Sequence, residues 1–357
     1  PELMNVFREA ADIQTADMLK LPAPESIYET SVAQPTSYQK DMVNALSKRA
    51  VRVHKRLVKP HEDNMLKITG DGRKLGLDQR LINPALPDDP DSKVNRCIQN
   101  ILKFWLDGKP QKLTQLVFCD LSTPKADGSF SIYSDMWEKL VRLGIPREEI
   151  SFIHDAETDQ QKKDLFAKVR AGKVRVLFGS TQKMGAGTNV QDRLIANHDL
   201  DCPWRPGDLE QRAGRIVRQG NNNETVHIFR YVTEATFDSY LYQTIENKQK
   251  FISQIMTSKA PVRSCEDVDD EVLSYAEIKA LCAGNPMIKE KMNLDIEVAR
   301  LRLLAADHTS KRYQLEDKLS KNYPVQLKSS EETIAALQED LETEKQYPIV
   351  KDTFPGI

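Results

Sequence analysis

Between residues 113 and 232, short apolar runs ("TQLVFCDL", "SFIH", "VRVLFGS", "LIANHDL" and "TVHIFRYV") are separated by stretches of helical periodicity such as 134–143 and 159–171. Several of the runs are rich in β-branched residues and lack strict apolar–polar alternation, the pattern of strands buried on both faces. Strands separated by helices pair in parallel through crossovers, so the segment predicts an open α/β sheet with helices on its faces. In such sheets ligands gather at the loops leaving the carboxyl ends of the strands.

The flanking regions read differently. Residues 1–40 read as an irregular lead-in broken by Pro22, Pro24 and Pro35. From Asp41 to Lys59 an apolar stripe (Val43, Leu46, Ala50, Val53, Leu57) predicts a helix, whose other face carries Lys48, Arg49, Arg52, Lys55, Arg56 and Lys59. That face is either a surface tracking phosphates or simply a solvated one. "ITGDGRKLGLD" reads as a Gly- and Asp-rich turn, and a helix is expected from Lys93 to Leu106. Beyond Thr236 the chain is helical, with Phe237, Leu241, Ile245, Phe251 and Ile255 on a broad face. A long helix from Pro286 to Lys321, a turn at Asn322-Tyr323-Pro324 and a second helix carrying Leu327, Ile334, Leu337 and Leu341 predict a helical hairpin. His308 and Arg312 interrupt its seam, which favours packing onto the chain itself, and a monomer, over a long coiled coil. The expected organisation is a lead-in with linker helices over 1–106, the α/β lobe over 107–257 and a helical extension over 258–357.

A net charge of -2 means that any nucleic-acid surface must be a local patch. Cys97, Cys119, Cys202, Cys265 and Cys282 are scattered with no CxxC, fitting neither a disulfide framework nor a zinc site and pointing to a reducing cytoplasm. The dispersed histidines form no HxxxH or HxH, so no metal site is expected, and no apolar run is long enough to predict a membrane partner. His154 and His198 end strand-like runs, where core packing is the expected role.

Two motifs carry chemistry. "VRVLFGS" runs into "TQKMGAGTNVQ", where Gly185 and Gly187 permit a tight turn, Asn189 adds a donor and acceptor, and Ser180 and Thr181 offer hydroxyls suited to phosphate oxygens. A plain strand-to-helix turn explains the same residues. Next comes "HDLDCPWRPGDLEQRAGRIVRQG", in which Pro203, Trp204 and Pro206 stiffen a connection, Trp204 serves as a packing anchor and Asp208 can cap a helix. If that helix continues, Gln211, Gly214, Arg215 and Arg218 fall at i, i+3, i+4 and i+7 on one stripe. Two guanidiniums on one stripe are costly to bury unless an anion meets them.

The order of the Gly loop after one strand, Asp-x-Pro-Trp-x-Pro after the next, and Gln-x-x-Gly-Arg-x-x-Arg resembles the second RecA-like lobe of superfamily-two helicases, among them the Swi/Snf-like DNA translocases. "QLVFCDL" at 115–121 looks like their motif IV, the Gly-loop segment like motif V and the arginine segment like motif VI. "DNMLKITGDGRKLGLDQRLINP", "QRAGRIVRQGN" and "LSYAEIKALCAGNPMIKEK" resemble the C-terminal part of the large helicases, often fused to an adenine-specific DNA methylase, of bacterial conjugative elements and phages. The resemblance implies that Arg215 and Arg218 are arginine fingers for ATP and Mg2+ bound by another lobe, and that Gln211 helps to place the nucleotide or the attacking water. It further implies that Gly185, Gly187 and Asn189 serve the nucleotide cleft and its coupling to DNA. Ser180, Thr181 and Lys183 would then touch the DNA backbone, joined by Lys48, Arg52 and Lys55 if the basic helix tracks phosphates.

The chain departs from a complete motor in having no GxxxxGK[ST] and no DExH-like motif, and no DPPY- or NPPY-type methylase motif is present. The expectation is half of an active site: a lobe belonging to a longer protein, partnered by an upstream RecA-like lobe and by DNA, and inactive as an ATPase by itself. The competing reading is a non-catalytic RecA-like scaffold module.

Overall fold

A computed structural model describes residues 22–124, 128–184, 187–257, 308, 312–313, 315–316 and 318–346. The chain divides into two compact units, Pro1–Pro286 and Met287–Ile357.

The first unit is built on a six-stranded sheet in the order β1-β6-β5-β2-β4-β3, every neighbouring pair parallel. Its strands are β1 (Glu25–Ala33), β2 (Thr114–Phe118), β3 (Ile150–Phe152), β4 (Val176–Gly179), β5 (Leu194–Asp199) and β6 (Thr225–Thr233). This is the α/β, RecA-like parallel sheet expected from the apolar runs. Along β2, Leu116 and Phe118 enter one core while Val117 enters the other, so both faces are buried and alternation has no reason to occur. One face is covered by α3 (Lys93–Asp107) and α4 (Ile132–Arg142) through Ile98, Ile101, Trp105, Tyr133 and Met136. The other packs against Val169 of α5 (Asp159–Arg170), Met184 and Ile216.

Several elements differ from the sequence reading. The stretch read as an irregular lead-in contains β1, which pairs with β6 from Glu25↔Thr225 to Ala33↔Thr233. It also contains the start of α1 (Ser37–His54), whose Thr36 and Gln39 form a reciprocal capping box. Because α1 ends at His54, Lys55 caps it and Arg56 and Lys59 lie beyond it. Arg49 leaves the basic face as well, since its guanidinium pairs with Asp63 and Asp71 at 2.7 and 2.8 Å.

The supposed turn "ITGDGRKLGLD" is helix α2 (Met65–Leu77), capped by Asn64. Its glycines permit contact rather than a turn. A Cβ on Gly72 would stand 2.5 Å from the Phe237 ring, and one on Gly76 would stand 3.0 Å from the Asp238 carboxyl. Phe237 begins α8 (Phe237–Thr257), and with Leu241 and Ile245 it joins α1 and α2 in a core containing Val43, Leu46, Ala50, Ile68 and Leu75. The side chains of Phe251 and Ile255 lie outside the described residues. Trp204 packs on this core beneath the Arg73 guanidinium, 4.5 Å from the ring centre, as an anchor should.

The arginine helix is shorter than expected. α7 (Pro206–Ala213) ends at Gly214, and Arg215, Ile216 and Val217 continue as a tight turn with N–H groups donating to Arg212 and Ala213. The four-residue stripe therefore does not exist as a helical face. Asp208 is not the cap either: Arg205 precedes the helix without a side-chain bond, Pro206 takes the first position and Asp208 lies in the first turn.

In the second unit, a π-helical turn (Lys318–Asn322) leads directly into α9 (Tyr323–Gln346). Helix replaces the turn expected at Asn322-Tyr323-Pro324, and a widened turn is a usual way for a helix to accommodate proline. Most of the hairpin's first arm, and the segment 258–307 with "LSYAEIKALCAGNP", lie outside the described residues. Among the described residues, no helix is long and apolar enough to cross a membrane.

Candidate functional site

From β2 the chain passes to one side of the sheet for β3 and β4 and to the other for β5 and β6. The carboxyl ends of β4, β2 and β5 therefore frame a crevice at a reversal of strand order, the usual ligand position in open α/β sheets. Asp120 follows β2, Ser180 and Thr181 follow β4, and Asp199 and Asp201 end β5 and begin the connection to α7.

An open cleft of about 610 Å³ lies here, lined by Asp120, Thr123, His154, Ser180, Thr181, Gln182, Lys183, Asp208 and Gln211. Ser180, Thr181, Lys183 and Gln211, singled out in the sequence, thus share one cavity. Gly179 closes β4 because a Cβ would stand 2.5 Å from the Met184 sulfur, which seats the short helix α6 (Thr181–Met184) against the strand end. His154 lines the cleft with a buried Nδ1 that has no hydrogen-bond partner. Burial, and then the Lys183 charge, hold its imidazole below the ordinary histidine range.

Behind the cleft wall lies a residue the sequence reading passed over. Arg212 is completely buried. Its Nε donates to the Thr181 hydroxyl at 2.8 Å, and its terminal nitrogens reach Asp120 at 2.9 Å, Asp199 at 3.4 Å, and the Asp201 carbonyl and carboxylate at 2.8 and 3.1 Å. Asp201 in turn accepts from the Asp120 and Leu121 N–H groups. Asp120 accepts from both the backbone N–H and the hydroxyl of Thr181. The Thr181 hydroxyl therefore donates to Asp120 and accepts from Arg212, held inside the network rather than turned to the cleft. Burial would lower the pKa of this guanidinium, but Asp201, Asp199 and Asp120 together raise it, so its charge is fixed. Burial raises the Asp199 pKa, with Arg212 opposing.

A second cluster forms where the turn after α7 meets the Gly-loop segment. Arg215 directs Nη1 to the Thr188 carbonyl at 3.3 Å, and Arg218 donates to Asn189 Oδ1 at 2.8 Å. Arg215 is half-buried, and burial followed by the neighbouring Arg218 charge lowers its pKa. Gly187 takes φ +71°, the left-handed conformation that glycine supplies most cheaply. Gly185 lies outside the described residues.

Other candidates lie elsewhere. Lys48, Arg52 and Lys55 are exposed on α1 and its cap, and they do not line the cleft. His198 is a core residue: Nδ1 meets the Tyr231 hydroxyl and Nε2 meets Gln115 Oε1, both at 2.9 Å, and the ring stacks on Phe229. Burial pushes its pKa down to about 3. Among the described residues, no three His, Cys, Asp or Glu side chains are grouped to hold a metal ion.

Residues 108–220 match the family model of the helicase conserved C-terminal domain. Over 127 residues the chain is 27% identical to Defense against restriction protein B of Escherichia phage P1, covering 34% of this chain and 6% of that protein. Over 123 residues it is 32% identical to the Uncharacterized ATP-dependent helicase YqhH of Bacillus subtilis, covering 32% of this chain and 21% of that protein. The matched segment is thus a small part of the length of either relative. Among solved structures, the C-terminal part of the Fun30 ATPase domain superposes with a TM-score of 0.49 at 14% identity, covering 76% of this chain and 99% of that one. The SWI2/SNF2 ATPase core of Sulfolobus solfataricus in complex with dsDNA superposes with a TM-score of 0.45 at 16% identity, covering 66% and 47%. Residues 108–220 thus carry a helicase C-terminal domain, folded as a RecA-like α/β lobe.

Proposed function

We propose that this lobe is half of an ATP-dependent DNA motor, contributing arginine fingers and DNA-backbone contacts to a site completed by another RecA-like lobe. The observation that carries the reading is the pairing of Arg215 and Arg218 on the Thr188–Asn189 segment. There, burial and mutual repulsion disfavour the Arg215 charge, and an approaching phosphoryl group would relieve both.

ATP with Mg2+, held mainly by the other lobe, would supply the phosphoryl group. The residues of this chain fit its far end: Arg215 and Arg218 neutralise charge there, and Gln211 at the end of α7 orients the nucleotide or water. Gly185, Gly187 and Asn189 shape the loop joining that edge to the cleft. In the cleft, Ser180 and Lys183 contact DNA phosphates, while Thr181 fixes the turn that presents them. Lys48, Arg52 and Lys55 extend the contact as point charges. The whole protein belongs to a mobile element and works in the cytoplasm, in keeping with the resemblance and the scattered cysteines.

The test uses the chain alone. It should bind duplex DNA with a steep salt dependence and hydrolyse no ATP, and Lys183→Glu should flatten the salt slope by about 0.9. Salt-independent binding, or turnover by the isolated chain, would refute the assignment.

A further inference from the structure

The Arg212 network lies between the two halves of the proposed site. Arg212 is adjacent to Gln211 on α7 and three residues before Arg215, which places its backbone on the nucleotide side. Its guanidinium holds the Thr181 hydroxyl at the start of the turn bearing Lys183, on the DNA side. Asp120 closes the triangle, gripping the Thr181 N–H and hydroxyl together with Arg212. The backbone is pinned as well, because the Asn197 side chain of β5 donates to the Arg212 carbonyl at 2.8 Å. A displacement of the Thr181 turn must therefore move the guanidinium or break several charge-assisted bonds, most of them made by the fully buried Arg212, Asp199 and Asp201.

We propose that Arg212, clamped to Thr181 and Asp120, is a positioning residue that transmits DNA engagement at the Ser180–Lys183 turn to Gln211 and Arg215. The inference rests on the reading of the lobe as part of a DNA-dependent ATPase. A planar guanidinium suits the task because its donors reach Thr181, Asp120 and Asp201 in different directions at once, whereas an ammonium is a single point charge. The Asp120 side chain is 29% exposed, so DNA entering the cleft reaches the network from one side only.

The readout is the ratio of ATP turnover with duplex DNA to turnover without it, in the full-length protein. Taking a ratio within each variant cancels a loss of folded material. Arg212→Lys, Asp120→Asn and Thr181→Val should each reduce the ratio by about tenfold, within the usual range of coupling between sites. Thr181→Ser keeps the hydroxyl and should retain the wild-type ratio. If Arg212→Lys does not fold, Asp120→Asn and the Thr181 pair decide the matter, since they leave the guanidinium in place. A stimulated wild type with equally stimulated variants would overturn the coupling role alone. A wild type whose turnover ignores DNA would overturn the reading beneath it.

Discussion

Gly70 and Gly72 lie on the same helix, and replacing each with alanine should move stability in opposite directions. Alanine in a helix interior is favoured over glycine by about 1 kcal/mol, and both sites receive that gain. At Gly70 the added methyl meets nothing within 4 Å, so the gain stands. At Gly72 it would lie 2.5 Å from two atoms of the Phe237 ring and 2.6 Å from a third. Phe237 is fully buried among Val43, Leu46, Ile68 and Leu75 and cannot swing aside. Overpacking of this kind costs about 1–3 kcal/mol, and a rigid ring on a helix backbone belongs at the upper end. The net expectation is a loss of about 1–2 kcal/mol for Gly72→Ala and a gain of up to about 1 kcal/mol for Gly70→Ala. Urea unfolding, compared through midpoints at unchanged slope, measures both. Equal stabilisation by the two substitutions would refute the packing of α2 against α8.

The exposed cations of α1 give a further test: Lys48→Glu, Arg52→Glu and Lys55→Glu together should weaken DNA binding and flatten the salt slope by about 0.9 per lost contact, and an unchanged slope would show a merely solvated face. His198 predicts an acid-labile fold. Its pKa falls from 6.5 unfolded to about 3 folded, so the unfolded chain binds the extra proton between those values. Stability is then full above pH 6.5 and declines as pH falls, by up to about 1.4 kcal/mol per unit. His198→Gln should remove most of that slope between pH 6.5 and 5, and a slope unchanged from wild type would contradict it.

The sheet was legible because β2, β4, β5 and β6 are buried on at least part of both faces and announce it by β-branched apolar runs. β1 was hidden: "ESIYETSVA" is half polar and largely exposed, and it becomes a strand only by pairing with residues about two hundred positions away. α2 was hidden for a related reason, since its glycines look like turn residues until Phe237 and Asp238 are placed against them. Two signals were present and passed over. Thr36-x-x-Gln39 is a capping box, and Gly214 is the residue type that ends helices, so α7 could have been stopped at Ala213. In the site, Arg215 and Arg218 stood out by motif spacing. Arg212 did not, because its importance comes from three aspartates delivered by two different strand ends.

Whether Arg215 and Arg218 act on a nucleotide held by another lobe is decided by one paired measurement: ATP turnover and thermal melting of Arg215→Ala and Arg218→Ala in the full-length protein. Arg218 is exposed and Arg215 only half-buried, so neither truncation opens the core. Arginine fingers would leave a near-normal melting temperature and, when truncated, lower turnover by roughly a thousandfold or more, the scale on which they contribute to phosphoryl transfer. Normal turnover per folded molecule in both variants, with or without a lowered melting temperature, would contradict that role.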